Sequence, residues 1–483
     1  MDVKSGHVIK FAVMSIIGIF LFMVLLPDGA GSANIPLGFA INWLGLTLNS
    51  VNVGGFGLVF LIAAVIITAS LIMTLVAYVL KPAFIMDNAW MKSLFYSHPV
   101  YFVSKVIGVA IAWMVFFSVG PDWLIGWGGG RLMMDLIAGG SSGSNLITIF
   151  IVLGLAIPLL TDFGLMEFLG VLIRKIVRFL FTLPGRSSID LMGSWFSSSA
   201  AGVIITRDQH EKGYYTGREA AAICVNFTFV SLPFTFVIAS VVGLTPYFWL
   251  FYLIICITVI ILAVIMPRIW PLRGLTDEYL PEVGKQIDEE TPENVSLFSQ
   301  AVSQAGIRAS KTGAVDVIKS GLSNWLNIFM ELIPVILAWG TIALIIESQT
   351  PIFEWLSLPF GWLLNLLGVY GAFEYAPAAI VGFIDMYIPA LLLSGKEAVY
   401  TGTSYLFEGL DYGYEMMFTV PVATRFILGA LSIVQIIYLA ETGILILKSK
   451  IPLNIGHLAI IFIMRTVFAL PILVLLTRLL FNA

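Results

Sequence analysis

The stretch Leu191 to Ile205, LMGSWFSSSAAGVII, sets Ser194, Ser197, Ser198 and Ser199 beside Gly193, Ala200, Ala201 and Gly202 within an otherwise membrane-grade apolar run. A lipid-facing helix is not composed this way, because hydroxyls and glycines at bilayer depth cost free energy unless they line protein or a water-filled cavity. Broken or re-entrant segments of this composition are found at transporter binding sites. About 190 residues later, Ala378 to Ser394, AAIVGFIDMYIPALLLS, repeats the theme with Gly382, a lone carboxylate in Asp385, and Pro389. We read the two stretches as paired, broken elements of one site.

Hydrophobic residues make up 59% of the 483 residues and charged residues 11%, and the mean hydropathy is +0.98. Such a chain is expected to be an all-α polytopic membrane protein with the lipid bilayer as its surroundings. A net charge of −4, with no interleaving of basic and aromatic residues, offers no nucleic-acid surface. Cys224 and Cys256 lie in apolar segments at no metal-ligand spacing, so neither a metal site nor a disulfide is expected. Nine runs are long enough to cross: 8–26, 56–80, 101–119, 146–160, 220–242, 248–266, 322–346, 416–439 and 460–480. The expected fold is therefore about nine transmembrane helices, interfacial amphipathic helices, and two re-entrant or broken segments in an inverted repeat.

Lysine and arginine placement orients the chain, since short basic loops stay cytoplasmic. Lys4 and Lys10 put the N-terminus inside a bacterial cytoplasmic membrane. The segment 163–218 carries Arg174, Lys175, Arg178, Arg186, Arg207, Lys212 and Arg218, whereas 348–415 carries only Lys396. Seven against one places the first segment inside and the second outside, so the two broken stretches enter from opposite faces. Their surroundings follow one order: a span, an amphipathic segment, the polar stretch, a polar loop and a long span. The first amphipathic segment, FGLMEFLGVLIRKIVRFLFTL, ends at Pro184-Gly185 and sets Glu167, Arg174 and Arg178 on one face. The implied divisions are N-terminal helices over 1–145, a first repeat over 146–267, a cytoplasmic linker over 268–320 with one helix from about Ser296 to Ile318, a second repeat over 321–447, and a C-terminal helix over 448–483.

A span, an amphipathic helix closed by Pro-Gly, a glycine-and-serine stretch and a basic turn with TGREA together resemble the nucleoside-recognition or gate domain, and the chain resembles the YjiH family of membrane proteins over roughly 147–447. Similar gate units occur in concentrative nucleoside transporters, in the ferrous-iron permease FeoB and in spore maturation proteins, so the resemblance implies a transport architecture. It departs from FeoB in having no cysteine in either polar stretch and no G-x-x-x-x-G-K-[ST] loop.

Ionisable residues inside spans are functional candidates, each costing about 2.5–3.5 kcal/mol at a helix centre unless it faces a cavity or partner. Asp385, Glu331 and Glu441 are the candidate ion-coupling carboxylates. Asp385 has two alternative roles, capping a half-helix or pairing with Arg425; Glu331 and Glu441 each have the alternative of a buried hydrogen-bonded group. Arg425, read as deeper in its span than Arg465 or Arg478, is a candidate for an anionic solute group. Ser194, Ser197, Ser198, Ser199, Asn226 and Tyr387 complete the candidate substrate-binding set, with Thr228 and Ser231 placed to line one side or to join helices. The four histidines fall in loops or at span ends. Gly140-Ser141-Ser142-Gly143 imitates a protease serine motif but reads as a loop, and an enzyme is not expected. The expectation is a secondary transporter of a small polar solute, nucleoside-like or an organic ion, working by alternating access with H⁺ or Na⁺ as coupling ion and no other cofactor. A gated channel and a non-transporting scaffold are the alternatives, and self-association into a homo-oligomer stays open.

Overall fold

The computed structural model describes residues 5–24, 26–27, 33–53, 56–96, 99–126, 130–138, 145–196, 199–228, 231–285, 296–394, 396–400 and 414–481. Among these, Ser5–Phe22, Leu58–Val79, Thr245–Gly274, Ala314–Gln349 and Ile455–Leu480 are long and apolar enough to cross a membrane. Leu146–Thr161 and Leu165–Phe181 form a sixth span if taken together, although the chain bends by 58° between them. Tyr101–Phe117 and Val422–Val434 are shorter apolar helices. The protein is thus an all-α polytopic membrane protein, with seven of the nine expected runs recovered as continuous helix. Of the other two, 220–242 is interrupted after Asn226 and resumes at Leu232, and 416–439 is helical only over Val422–Val434.

The chain divides into two units. The first comprises Met1–Lys175 and Glu290–Pro351. Its helices approach closely where a glycine on each faces the backbone of the other: a Cβ on Gly321 would stand 3.3 Å from Leu155 Cα, and one on Gly154 3.6 Å from Trp325 Cα. Gly108 does the same on the Pro99–Phe117 helix, where a Cβ would lie 2.9 Å from the Pro334 carbonyl oxygen. Pro334 has no N–H for the carbonyl four residues back, that of Met330. The helix absorbs the defect as a π-helical turn over Ile328–Leu332, and the Ser70 hydroxyl donates to Met330 O. Glu331 sits in this turn.

The expected linker helix proves shorter and better anchored. It spans Leu297–Lys311, capped by the Ser296 hydroxyl, and the next helix begins at Ala314 because Asp316 accepts the Gly313 N–H at 2.7 Å. Ala305 and Ala309 pack against Phe11, and Arg308 lies 3.6 Å from Glu167 and 3.9 Å from Asp162. Gly164, at φ +100°, leaves room for this helix: a Cβ there would meet the Ala305 carbonyl oxygen at 2.5 Å.

The second unit comprises Ile176–Glu289 and Ile352–Ala483. It holds two helical hairpins, Ser187–Phe196 with Ser199–Glu211 and Pro377–Val381 with Ile388–Leu392. Each hairpin is followed by a broken helix. The first breaks between Gly217–Asn226 and Leu232–Val241; the second between Val422–Val434 and a π turn over Leu439–Gly443. The sequence expectation of a continuous 416–439 span is corrected at both ends. Tyr414–Phe418 is instead a strand paired antiparallel with Lys396–Tyr400, Lys396 opposite Phe418, and the helix starts only after Pro421. At the far end it stops at Val434, where Gln435–Tyr438 leave the helical path through Ile436 at φ +65°.

Candidate functional site

The two hairpins and two broken helices of the second unit pack together, and their freed backbone groups find partners across these elements. The arms of the first hairpin cross at Gly202, where a Cβ would stand 1.9 Å from Ser194 Oγ and 3.2 Å from Thr228 Cγ2. Ser194, buried, donates back to Asp190 O at 3.3 Å. At the hairpin base the Tyr215 hydroxyl donates to the Asp190 carboxylate, and His210 Nδ1 donates to the Tyr215 carbonyl at 2.9 Å. His210 is buried in the last turn of the Ser199–Glu211 helix. Ser199 is buried too, and its Oγ lies 3.4 Å from Glu441 Oε1. Ser197 and Ser198 fall outside the described residues.

A helix that ends in the membrane leaves four carbonyls to satisfy. In the first broken helix Asn226 Nδ2 donates to Ala222 O, Phe227 N–H to Ile223 O, and the Thr228 hydroxyl to Cys224 O. Val225 O receives Arg465 at 3.1 Å. In the second, Gln435 N–H donates to Leu431 O, and one Tyr438 hydroxyl lies 3.0 Å from Ser432 O and 2.9 Å from Ile433 O. Val434 O receives Nε and NH2 of the same Arg465, at 3.0 and 2.7 Å. Arg465 also donates to Asn226 Oδ1 at 2.7 Å. One fully buried guanidinium thus closes both breaks.

That finding corrects the placement of Arg465 near a span end. Its helix runs Ile455–Phe481, beginning after Asn454, whose Oδ1 accepts the His457 N–H at 2.8 Å, so Arg465 lies well inside it. Arg425, 6% exposed, donates to the carbonyls of Val420 and Val242. Among the described residues no ion pair joins it to Asp385.

In the second hairpin, residues 382–387 unwind between the two short arms. Asp385 Oδ1 accepts the Tyr387 N–H at 2.8 Å, closing an Asx turn, while the Ile388–Leu392 helix has Tyr387 at its N-cap and no side-chain cap, so Asp385 does not take the half-helix capping role. Phe383 O accepts the Leu439 N–H at 2.9 Å, so hairpin turn and helix break are tied backbone to backbone. Gln435 Nε2 reaches Ala379 O at 2.7 Å and Thr466 Oγ1 at 2.9 Å. The buried Tyr387 hydroxyl has no hydrogen-bond partner among the described residues, and its ring stands edge-on to Phe234 with centroids 6.5 Å apart. Ser194, Ser199, Asn226, Asp385, Tyr387, Arg425 and Glu441 all belong to this unit.

Glu331 belongs to the first unit. There it lies within electrostatic reach of Lys105, a buried cation passed over in the sequence because the run around it is so apolar. Lys105 Nζ donates to Thr74 Oγ1 at 2.9 Å and Leu94 O at 3.2 Å, and stands 5.5 Å from the centre of the Phe95 ring. Sequence reasoning also missed Gln435 and Tyr438, which carried no local signal beyond being polar groups in an apolar run.

A curated protein of Alkalihalophilus pseudofirmus, BpOF4_10220, is 39% identical over 478 residues, covering 98% of this chain and 95% of its own. The chain belongs to the family of that protein. Within it, residues 144–245 match the gate domain described as nucleoside recognition, which takes in the first hairpin and the first broken helix. Two solved structures of CNTnw variants, one in an outward-facing state and one in an intermediate state, are 16% and 15% identical. They cover 98% and 99% of this chain and 98% of their own, each with a TM-score of 0.40. The gate likeness read from TGREA and the glycine-serine stretch thus holds for residues 144–245.

Proposed function

We propose that this gate-domain protein is a secondary transporter, moving a small polar solute by alternating access between its two hairpins. The YjiH affiliation belongs to the same proposal. One observation carries it: two broken helices and two hairpins converge within one unit, with Ser199 on Glu441 and Asp385 in an unwound turn. Freed backbone and carboxylates within an apolar unit are what a polar solute and a coupling ion require, and a structural bundle gains nothing from them. Asp385 and Glu441 take the ion-coupling role. Ser194, Ser199, Asn226 and the Tyr387 hydroxyl take the solute, with Arg425 for any anionic group. Fold alone does not choose the solute, so nucleosides and small organic ions are the first candidates.

The test is uptake into proteoliposomes under an imposed H⁺ or Na⁺ gradient, with solutes selected by thermal stabilisation of the purified protein. Accumulation above the external concentration is expected. Flux that only runs downhill would make the protein a gated channel, and the absence of any solute-dependent stabilisation or flux would make it a scaffold.

We further propose that the chain lies in the bacterial cytoplasmic membrane with its N-terminus inside, on the seven-to-one basic contrast. Lys212→Cys is expected to be shielded from an impermeant thiol reagent in intact cells, and Lys396→Cys to react. Labelling of both from the same side would remove the inverted arrangement.

A further inference from the structure

We propose that the Arg465 guanidinium is a resident cation joining the two helix breaks, so that the coupling ion is a proton held on a carboxylate and not a metal cation seated between those breaks. The inference rests on the transport reading for its second half only. Its basis is the donor set. Val225 O and Val434 O close the C-terminal turns of two helices, each end carrying a partial negative charge of about half a unit, and Asn226 adds a third neutral oxygen. Convergent carbonyls at half-helix C-termini hold a desolvated monovalent cation in ion-coupled transporters. Here all three oxygens are filled by one side chain, through contacts of 2.7–3.1 Å, and that side chain is fully buried.

A guanidinium stays charged throughout the physiological range. Tethered to the Ile455–Phe481 helix, it is not released to either side, so it contributes a fixed charge to every state of the cycle. Its neighbours supply the variable one. Tyr438 lies within electrostatic reach of Arg465, Glu441 and Asp385 together, and Tyr387 adjoins Asp385. Among the described residues, Tyr438 thus links the guanidinium to Glu441 and Asp385, and Asp385 leads on to Tyr387. Of them the two carboxylates exchange a proton most readily, and Ser199 already offers a hydroxyl to Glu441.

The experiment uses the purified full chain and exchanges NaCl for choline chloride at constant ionic strength. Wild type is expected to melt at the same temperature in both. Arg465→Ala opens the oxygen cage and is expected to melt lower, and to be raised by at least about 3 °C by Na⁺ or by free guanidinium. Should Arg465→Ala fail to fold, Arg465→Lys serves in its place; it keeps one charge and is expected to be as indifferent to Na⁺ as wild type. Na⁺-specific stabilisation of wild type or of Arg465→Lys overturns the proposal, as does a folded Arg465→Ala that neither cation stabilises.

Proteoliposomes separate the second half. Uptake driven by a pH gradient and unaffected by a Na⁺ gradient supports proton coupling, and uptake driven by Na⁺ overturns it. No flux under either gradient, alongside a cation-rescued Arg465→Ala, would remove the transport reading while leaving the resident cation in place.

Discussion

Asp385→Asn is expected to leave the protein folded and able to bind solute, and to abolish the dependence of uptake on the ion gradient. Asp385 is 7% exposed, and one carboxylate oxygen closes the turn by accepting the Tyr387 N–H at 2.8 Å. Asparagine keeps that oxygen acceptor and removes only the charge. An unneutralised carboxylate at membrane depth costs about 2.5–3.5 kcal/mol on insertion scales, so on the proposed transport reading the wild-type group is expected to take up a neutralising ion. Were Arg425 its counter-ion, the substitution would strand a buried charge at about 3–5 kcal/mol and the protein would be lost from the membrane. Arg425 is instead held by two backbone carbonyls, so normal expression is expected. Asp385→Ala separates the roles by removing the turn hydrogen bond and the charge together, with a further loss of about 1 kcal/mol of stability. Gradient-driven uptake unchanged in a well-expressed Asp385→Asn protein would move the coupling role to Glu441, where Glu441→Gln tests it in the same assay.

The second large effect is expected at Gly202. A side chain there has no room, because its Cβ would stand 1.9 Å from Ser194 Oγ, 3.0 Å from Ser194 Cβ and 3.2 Å from Thr228 Cγ2. Gly202→Val must part the two arms of the first hairpin or push it off the first break. Overpacking of this kind costs about 1–3 kcal/mol, and in this unit it would also shift Ser199 away from Glu441. Uptake should therefore fall more than thermal stability does. Gly202→Ala should lose less, and Ser194→Gly in the same chain should restore both melting temperature and uptake by vacating the space. A Gly202→Val protein with wild-type melting and transport would show that the arms do not meet as described.

Much of the second unit was legible because its hairpins carry their signal locally. Serines and glycines from Leu191 to Ile205, and Gly382, Asp385 and Pro389 in the later stretch, are affordable in an apolar run only where the backbone breaks. The two helix breaks were not legible, since hydropathy averages over Phe227 and Ile436 and sees one continuous span on each side. What stabilises those breaks comes from far along the chain: Arg465 is 239 residues from Asn226 and 31 from Val434. Arg465 itself was misplaced because an apolar window opens at Ile460, whereas Asn454 starts the helix earlier through its side-chain cap. The linker helix was overextended for a similar reason, its end being set by Asp316 reaching back to Gly313. In both cases a capping residue was present in the sequence and outweighed by composition.

The Arg465 contacts also order the birth of the molecule. A ribosome adds about 5–20 residues per second, so roughly 10–50 s pass between synthesis of Asn226 and arrival of the arginine that completes its surroundings. Helices form within microseconds, and the first broken helix must wait in the membrane with Val225 O and Asn226 Oδ1 lacking their final donor. During that interval this helix is unfinished, open to whatever donors water or the insertion machinery can lend. It is completed only when the Ile455–Phe481 helix threads in beside it, so an early-made element is among the last parts of this protein to mature.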